Sequence, residues 1–391
     1  MRETSYPFSP EVNLLIACAR RDLDPTHEEQ IRTLVDLGLD WQKVSYLVQV
    51  NGVLPLLCWH FNRMNLQDIP AWFSQQLNQK FKENTARNLY LTKELSELVI
   101  AFEKNHVPVI AFKGIVLSHS VYGNVSFRSF NDLDLYVRKT DLYQALEIIT
   151  TRGYQNNIWE DRFRRNACLH YGGECEFVRP SRRDIVDLHW LITPPELQMM
   201  EFENQLWERS NTIEFAGCAV RMLSPPDLMM VLCLHGSKPV HGWCRLNWIS
   251  DIAELSRLLT PSEWQTLLEQ VADWHVENMI NLGLYLADDL FNINLPTLVK
   301  EGISRNPKFS HLSRQIYERM FQGEAKIPGF TENALFYSRM SNTLGESLRY
   351  TIKRVFTPTY EDWESISLPL WLYYCYRPFR LAKKHLSSMA K

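Results

Sequence analysis

The chain has 391 residues, enough for two or three domains because a single core stops growing well before that length. An apolar fraction of 45% with 12% aromatics describes a folded globular protein, and 42 Lys plus Arg against 45 Asp plus Glu leave a net charge of -3. That balance excludes a global positive field that would gather nucleic acid by phosphate attraction alone, so no nucleic-acid partner is expected.

The opening MRETSYPFSPEV lacks the basic start and apolar core of a secretory signal, and a cytoplasmic protein is expected. Cys18, Cys58, Cys168, Cys175, Cys218, Cys233, Cys244 and Cys375 are scattered without a Cys-x-x-Cys pair. That spacing argues against a zinc site and a disulfide framework, and for mostly buried thiols. No apolar run reaches the eighteen or so residues of a membrane span. The nearest, LPLWLYYCY at 368–376, is followed by the basic RPFRLAKKH. Such a stripe more often packs on its own protein, with a peripheral membrane contact over 368–386 as the lesser alternative.

Taken in chain order, residues 10–104 carry apolar residues at spacings of three and four in VNLLIACARRDL, EEQIRTLVDLGL, WQKVSYLVQVNGVLPLLCWHFNR and the long PAWFSQQLNQKFKENTARNLYLTKELSELVIAFEKN. This predicts a helical domain over 1–104. VPVIAF (107–112) then reads as a buried strand, IVLSHSVYG as a short helix ending at Gly123, and FNDLDLYV as a second strand. DLYQALEIITTRG predicts a helix stopping at Gly153. HYGGECEFVRP (170–180) and RRDIVDLHW (182–190) predict two more strands joined by a turn at Pro180-Ser181. An α/β domain over about 105–215 follows. From PPELQMMEF onward the helical period returns, and 216–391 is expected to be helical. No repeat and no low-complexity segment interrupts this order.

Chemistry concentrates in RSFNDLDLYV (128–137). On a strand Asp132 and Asp134 share one face while Leu133, Leu135 and Val137 point to the core. Two carboxylates held so close repel, and burial raises their pKa unless a cation sits between them. Magnesium suits them, since it takes carboxylate oxygens and completes its shell with water and substrate phosphates. Asp187, flanked by Val186 and Leu188, is the candidate third acid of a two-metal phosphoryl-transfer site, whereas Asp184 faces the other way. An exposed strand face or a turn aspartate is the plain alternative.

The segments FKGIVLSHSVYGNVSFRSFNDLDLYVRKTDLYQALEIITTRGY, IVDLHW and LCLHGSKPVHGWCRLNWISDIAEL together resemble the bacterial uncharacterised nucleotidyltransferase family of the DNA polymerase β-like nucleotidyltransferase superfamily, most strongly over 105–255. The resemblance implies an α+β fold: a minimal nucleotidyltransferase core with a mixed sheet, flanked by N- and C-terminal all-helical domains. It implies that Asp132 and Asp134 bind two magnesium ions and that Asp187 binds the catalytic one and draws a proton from the attacking hydroxyl. The superfamily carries a Gly-Ser or Gly-Gly pair at the end of the first strand to cradle triphosphate. In this chain the place reads Lys113-Gly114-Ile115 without the serine, leaving Gly114 for close backbone approach and Lys113 for charge.

HGSKPVHGWCRLNWISD (235–251) gathers His235, Lys238, His241, Arg245 and Asp251 among Trp243 and Trp248. In related nucleotidyltransferases a lysine from the helical domain contacts phosphate, a role that falls first to Lys238 and then to Arg245, with Arg128 a further cation. An ordinary Arg245–Asp251 ion pair is the alternative. His189 shares the face of Asp187 and is a possible neighbour of a ligand, though a core or rim histidine is the more ordinary reading. No Walker loop, Gly-x-Ser-x-Gly elbow or Rossmann fingerprint is present. The leading expectation is transfer of a nucleoside monophosphate from a nucleoside triphosphate, ATP the expected donor, to a hydroxyl of a small-molecule, peptide or protein acceptor. A catalytically decayed nucleotide- or partner-binding module and a helical interaction scaffold are the alternatives.

Overall fold

The computed structural model describes residues 6–66, 68–182, 184–194, 197, 199–238, 241–322, 336, 338–340 and 344–389. Helices dominate and one small mixed sheet carries most of the strand pairing, so the architecture is α+β. The chain forms two compact units, one from residues 1–94, 113–130 and 223–340, the other from 95–112, 131–222 and 341–391.

The first unit is helical. The run WQKVSYLVQVNGVLPLLCWHFNR, read as one stretch, breaks into helices Trp41–Val50 and Leu54–Met64. Gly52 makes the break: its φ is +67°, and a Cβ there would lie 2.6 Å from Asn247 Nδ2. Helix Pro225–Ser237 buries Leu228 through Leu234 without a polar face, and Leu246–Ser256 is buried almost all round, so these two form the centre of the unit. Helix Pro261–Trp274 opens on a capping box between Thr260 and Glu263, with proline at its first position. We expect Thr260→Ala to cost about 1 kcal/mol in urea unfolding, the usual worth of a lost N-cap; no measurable change would mean that solvent caps the helix equally well.

The second unit holds a four-stranded sheet of order β1-β2-β4-β3, formed by β1 (Ile110–Ala111), β2 (Asp132–Tyr136), β3 (Glu174–Arg179) and β4 (Asp184–His189). β2 and β4 run parallel and the outer pairs antiparallel. Of the run 107–112, only Ile110 and Ala111 pair, although Val107, Val109 and Phe112 are also buried. An apolar run reports burial; it does not report pairing. The expectation of helix beyond residue 194 needs correction, because β5 (Asn211–Phe215) and β6 (Cys218–Met222) form a hairpin. Its turn, Ala216-Gly217, has φ of +51° and +80°, which suits the twist of a two-residue hairpin loop.

Leu133, Leu135 and Val137 are buried as the alternation predicts, and Tyr136 packs on Trp207 with ring centroids 5.2 Å apart. Asp184 is fully buried on the face opposite Asp187, where Arg179 meets it at 2.5 Å and lies over the Tyr154 ring. Helix Leu370–Met389 takes in most of the apolar and basic segment at 368–386. Tyr373 and Arg377 are buried, Arg377 against Asp362 at 2.7 Å, while Trp371 and Phe379 stand 67% and 69% exposed. Among the described residues no helix is long and apolar enough to cross a membrane. Six of the eight cysteines are buried and all eight are free thiols, while Cys244 and Cys375 are exposed.

Candidate active site

The site of the second unit is one face of its sheet. Parallel pairing sets Asp132 opposite Ile185, Asp134 opposite Asp187 and Tyr136 opposite His189. Antiparallel pairing sets Glu176 opposite Asp187 and Glu174 opposite His189. Because directly paired residues project to the same side, Asp132, Asp134, Asp187, Glu174 and Glu176 share one face with His189. One carboxylate oxygen each from Asp134 and Asp187 and one ring nitrogen of His189 lie within 4.8 Å of one another. Asp132 adds its negative charge to the field at Asp187.

Burial, and after it the charge of Asp134, raises the Asp187 carboxyl to about 7, against the opposing pull of His189. In His189 burial and hydrogen bonding oppose each other. Burial alone would depress it, but its Nε2 lies 3.2 Å from Asp134 Oδ1 and its Nδ1 3.1 Å from Glu174 Oε2, and these contacts raise it to about 9. Both ring nitrogens then donate, as in an imidazolium, and the ring is held edge-to-face against Phe112 at 5.0 Å. His189 is therefore an integral part of the acid cluster rather than a plain core histidine. Glu174 and Glu176 are members of the site that local sequence does not single out; their signal is the period-two Glu-Cys-Glu just after Gly172-Gly173.

The donor set suits a hard divalent cation. Carboxylates from adjacent strands face one another, and burial with the Asp134 charge makes Asp187 costly to ionise, a cost that a bound cation would offset. Asp134 and Asp187, with His189 beside them, are the residues that could hold such an ion.

The cations expected at the nucleotide lie in the first unit. Lys113 is the N-cap of helix Gly114–Tyr122, and Gly114 has φ of +49°. Lys113 Nζ is 3.4 Å from His235 Nδ1. Lys238 caps the C-terminus of helix Pro225–Ser237 and is half-buried; Arg245 is the exposed N-cap of Leu246–Ser256, with its guanidinium 5.7 Å from the Trp248 ring. Arg128 is elsewhere engaged. It is 8% exposed, and its Nε and Nη2 donate to Asp251 at 2.8 and 2.6 Å. The partner of Asp251 is thus Arg128 and not Arg245, and Tyr122 joins the pair through its hydroxyl, which donates to Asp251 at 2.8 Å. Asn84 and Asn88 hold the Arg128 carbonyl at 3.2 and 2.9 Å.

An α+β chain with an acidic, metal-suited strand pair in a mixed sheet is of the kind that nucleotidyltransferases use, and the family comparison agrees. The family described as uncharacterised nucleotidyltransferase matches residues 38–292, well over half of the chain, and the chain belongs to it. Among solved structures it is similar to an antigenic nucleotidyltransferase-like protein from Paracoccidioides brasiliensis, at 15% identity and a TM-score of 0.31, over 54% of this chain and 96% of that one. Among curated proteins none matches.

Proposed function

We propose that this protein moves a nucleoside monophosphate from a nucleoside triphosphate, ATP the expected donor, to a hydroxyl of a small-molecule, peptide or protein acceptor, releasing pyrophosphate. The observation that carries this reading is the cross-strand pair Asp134 and Asp187, with Asp132 on the same face and Asp187 raised to about 7. Asp132, Asp134 and Asp187 would hold two magnesium ions, which when bound neutralise the triphosphate and stabilise charge on the transferring group. Asp187, on the face where the acceptor hydroxyl would meet the metal, takes the proton of that hydroxyl. His189 and Glu174 hold Asp134 in place by a chain of hydrogen bonds, the usual means by which a ligand's orientation is fixed. Lys113, Lys238 and Arg245, with the Gly114 backbone, contact phosphates. Arg128, anchored to Asp251, has the part of a positioning residue.

The test is calorimetric binding of each nucleoside triphosphate with and without magnesium, on the native chain and on the double variant Asp132→Asn/Asp134→Asn. The reading expects magnesium-dependent binding that the double variant loses. Binding of the same strength in both proteins would sink it. Binding without pyrophosphate release across a broad acceptor screen would leave the decayed-module alternative, which the isoleucine in the usual serine position favours.

A further inference from the structure

The apolar and basic segment at 368–386 lies in the second unit and has no part in the acid cluster. In helix Leu370–Met389, Trp371, Cys375, Pro378 and Ala382 recur at spacings of four, three and four, so they form one stripe, with Tyr374 and Phe379 on its two flanks. Trp371 and Phe379 are 67% and 69% exposed, Tyr374 is 44% exposed, and Cys375 is an exposed thiol. The opposite face holds Tyr373 and the arginines. Arg377 is buried and its Nη1 donates to Asp362 at 2.7 Å, while Arg380 Nε donates to the other oxygen of that carboxylate at 2.6 Å. The usual amphipathic order is inverted: the guanidinium groups face the protein and the aromatic rings face solvent.

The inversion has a physical cause. A fully buried carboxylate is tolerated only when it is paired and hydrogen-bonded. Asp362 meets that condition with the two arginines and with the amide and hydroxyl of Thr359, at 2.7 and 3.0 Å. Arginines fixed inward set the rotation of the helix and leave its stripe outward. Its start is fastened as well, because the Tyr171 hydroxyl donates to the Leu370 carbonyl and the Ser367 hydroxyl to Asp161, both at 2.7 Å. Asp161 caps helix Arg162–Tyr171, which leads through Gly172-Gly173 into β3. The stripe is thus anchored on the element that delivers Glu174 and Glu176.

A continuous exposed apolar stripe, unlike scattered apolar residues, marks a surface that meets something. Charge selects the partner. No acid follows Glu364 in the sequence, whereas Arg377, Arg380, Lys383, Lys384 and Lys391 do. Asp362 engages the two arginines, but Lys383 and Lys384 stand exposed one turn beyond Phe379. The pair that Lys384 makes with Glu361, at 3.4 Å, is exposed and worth little in water. A second copy of the helix offers these lysines no acid in either a parallel or an antiparallel arrangement. An anionic bilayer offers them phosphates, and its headgroup layer is where Trp and Tyr, apolar in body and polar at one end, sit most favourably.

We propose that helix Leu370–Met389 docks the protein on an anionic lipid bilayer, with the Trp371, Tyr374 and Phe379 rings entering the headgroup layer and Lys383 and Lys384 meeting lipid phosphates. The contact is peripheral, made by one side of one helix lying in the interface. It stands on these observations and not on the nucleotidyl-transfer reading.

The test is flotation of the full chain with vesicles of phosphatidylcholine alone and of equal parts phosphatidylcholine and phosphatidylglycerol. The chain should float with the anionic vesicles, less so as salt rises, and stay behind with the neutral ones. Trp371→Ser and Phe379→Ser should each weaken vesicle binding about tenfold, the order expected for withdrawing one aromatic ring. Lys383→Gln and Lys384→Gln should each weaken it about fivefold. Tyr143→Ser, which removes a ring 65% exposed elsewhere in the second unit, should bind like wild type. Urea unfolding should be the same in all five variants, so that lost binding is not lost folding.

A second measurement needs no variant. Anionic vesicles should slow maleimide alkylation of Cys375, mapped by peptide mass, while the exposed Cys244 reacts as before. Equal flotation with both kinds of vesicle, wild-type binding by Trp371→Ser/Phe379→Ser, or an unchanged rate at Cys375 overturns the proposal. A lipid-free dimer that the same double variant dissociates would overturn it too, because a second copy would then cover the stripe.

Discussion

Asp187→Asn is expected to abolish pyrophosphate release and, in the same protein freed of metal, to raise stability above pH 7. Both effects follow from removing the negative charge of Asp187. In the metal-free fold, burial and the Asp134 charge hold the Asp187 carboxyl at about 7, well above the range of an exposed aspartate. Below about pH 4 the acid is protonated in folded and unfolded chains alike and contributes nothing. As pH rises, the unfolded chain ionises first, so the folded state loses stability progressively until about pH 7, beyond which the cost is constant.

Asparagine has no such cost, so the stability difference between variant and wild type should grow from zero near pH 4 to a plateau above pH 7. The plateau should be about 1–4 kcal/mol, at roughly 1.4 kcal/mol per pK unit with allowance for relaxation. Magnesium should reverse the order, stabilising wild type by about 3 kcal/mol at a hundredfold excess over its dissociation constant and leaving the variant unmoved. Urea unfolding in chelator and in magnesium across this pH range makes the check. A variant less stable than wild type in chelator at pH 8 would show that Asp187 suffers no repulsion, and one equally stabilised by magnesium would show that Asp187 holds no cation.

The second large effect concerns the Arg128–Asp251 pair, whose side chains are 10% and 1% exposed. Burial pushes the Asp251 carboxyl upward even though Arg128 and Tyr122 pull it down. Removing one member of such a pair strands the other charge in a low-dielectric interior. Asp251→Leu should therefore lose about 3–5 kcal/mol, and Arg128→Met a comparable amount. The double variant Arg128→Met/Asp251→Leu should lose less than either single variant, because apolar groups of similar volume need no partner. Tyr122 retains Ser250 at 3.1 Å as a second contact, which limits the penalty at its hydroxyl. Denaturant unfolding of the three variants decides it: additive losses would mean that the charges do not depend on each other.

How much of the fold and site is legible in the sequence varies with distance along the chain. The face shared by Asp132 and Asp134 follows from strand periodicity alone, and Asp187 is readable because Val186 and Leu188 flank it as core positions should. Glu174 and Glu176 alternate just as plainly, but exposed acids on an outer strand look like solvated surface until the register lays them beside His189 and Asp187. The hairpin Asn211–Met222 is hidden because its outward positions hold Thr212, Glu214, Ala219 and Arg221, none a strong strand former except threonine, and its turn is Ala-Gly in place of the usual Asn-Gly. The partner of Arg128 lies 123 residues away, beyond anything that local spacing can report.

Trp243 belongs to a loop by its backbone and to the core by its side chain, and this double membership bears on motion. A surface loop ordinarily opens by itself, at little free energy, and its amides exchange quickly with solvent. In this loop the Trp243 amide is bonded to Gly236 and its ring fills the space left by Gly236 and Gly283. Lifting residues 241–243 would empty that space. Deuterium uptake at His241, Gly242 and Trp243 should accordingly be as slow as in helix Pro225–Ser237, with loop and helix exchanging as one cooperative block.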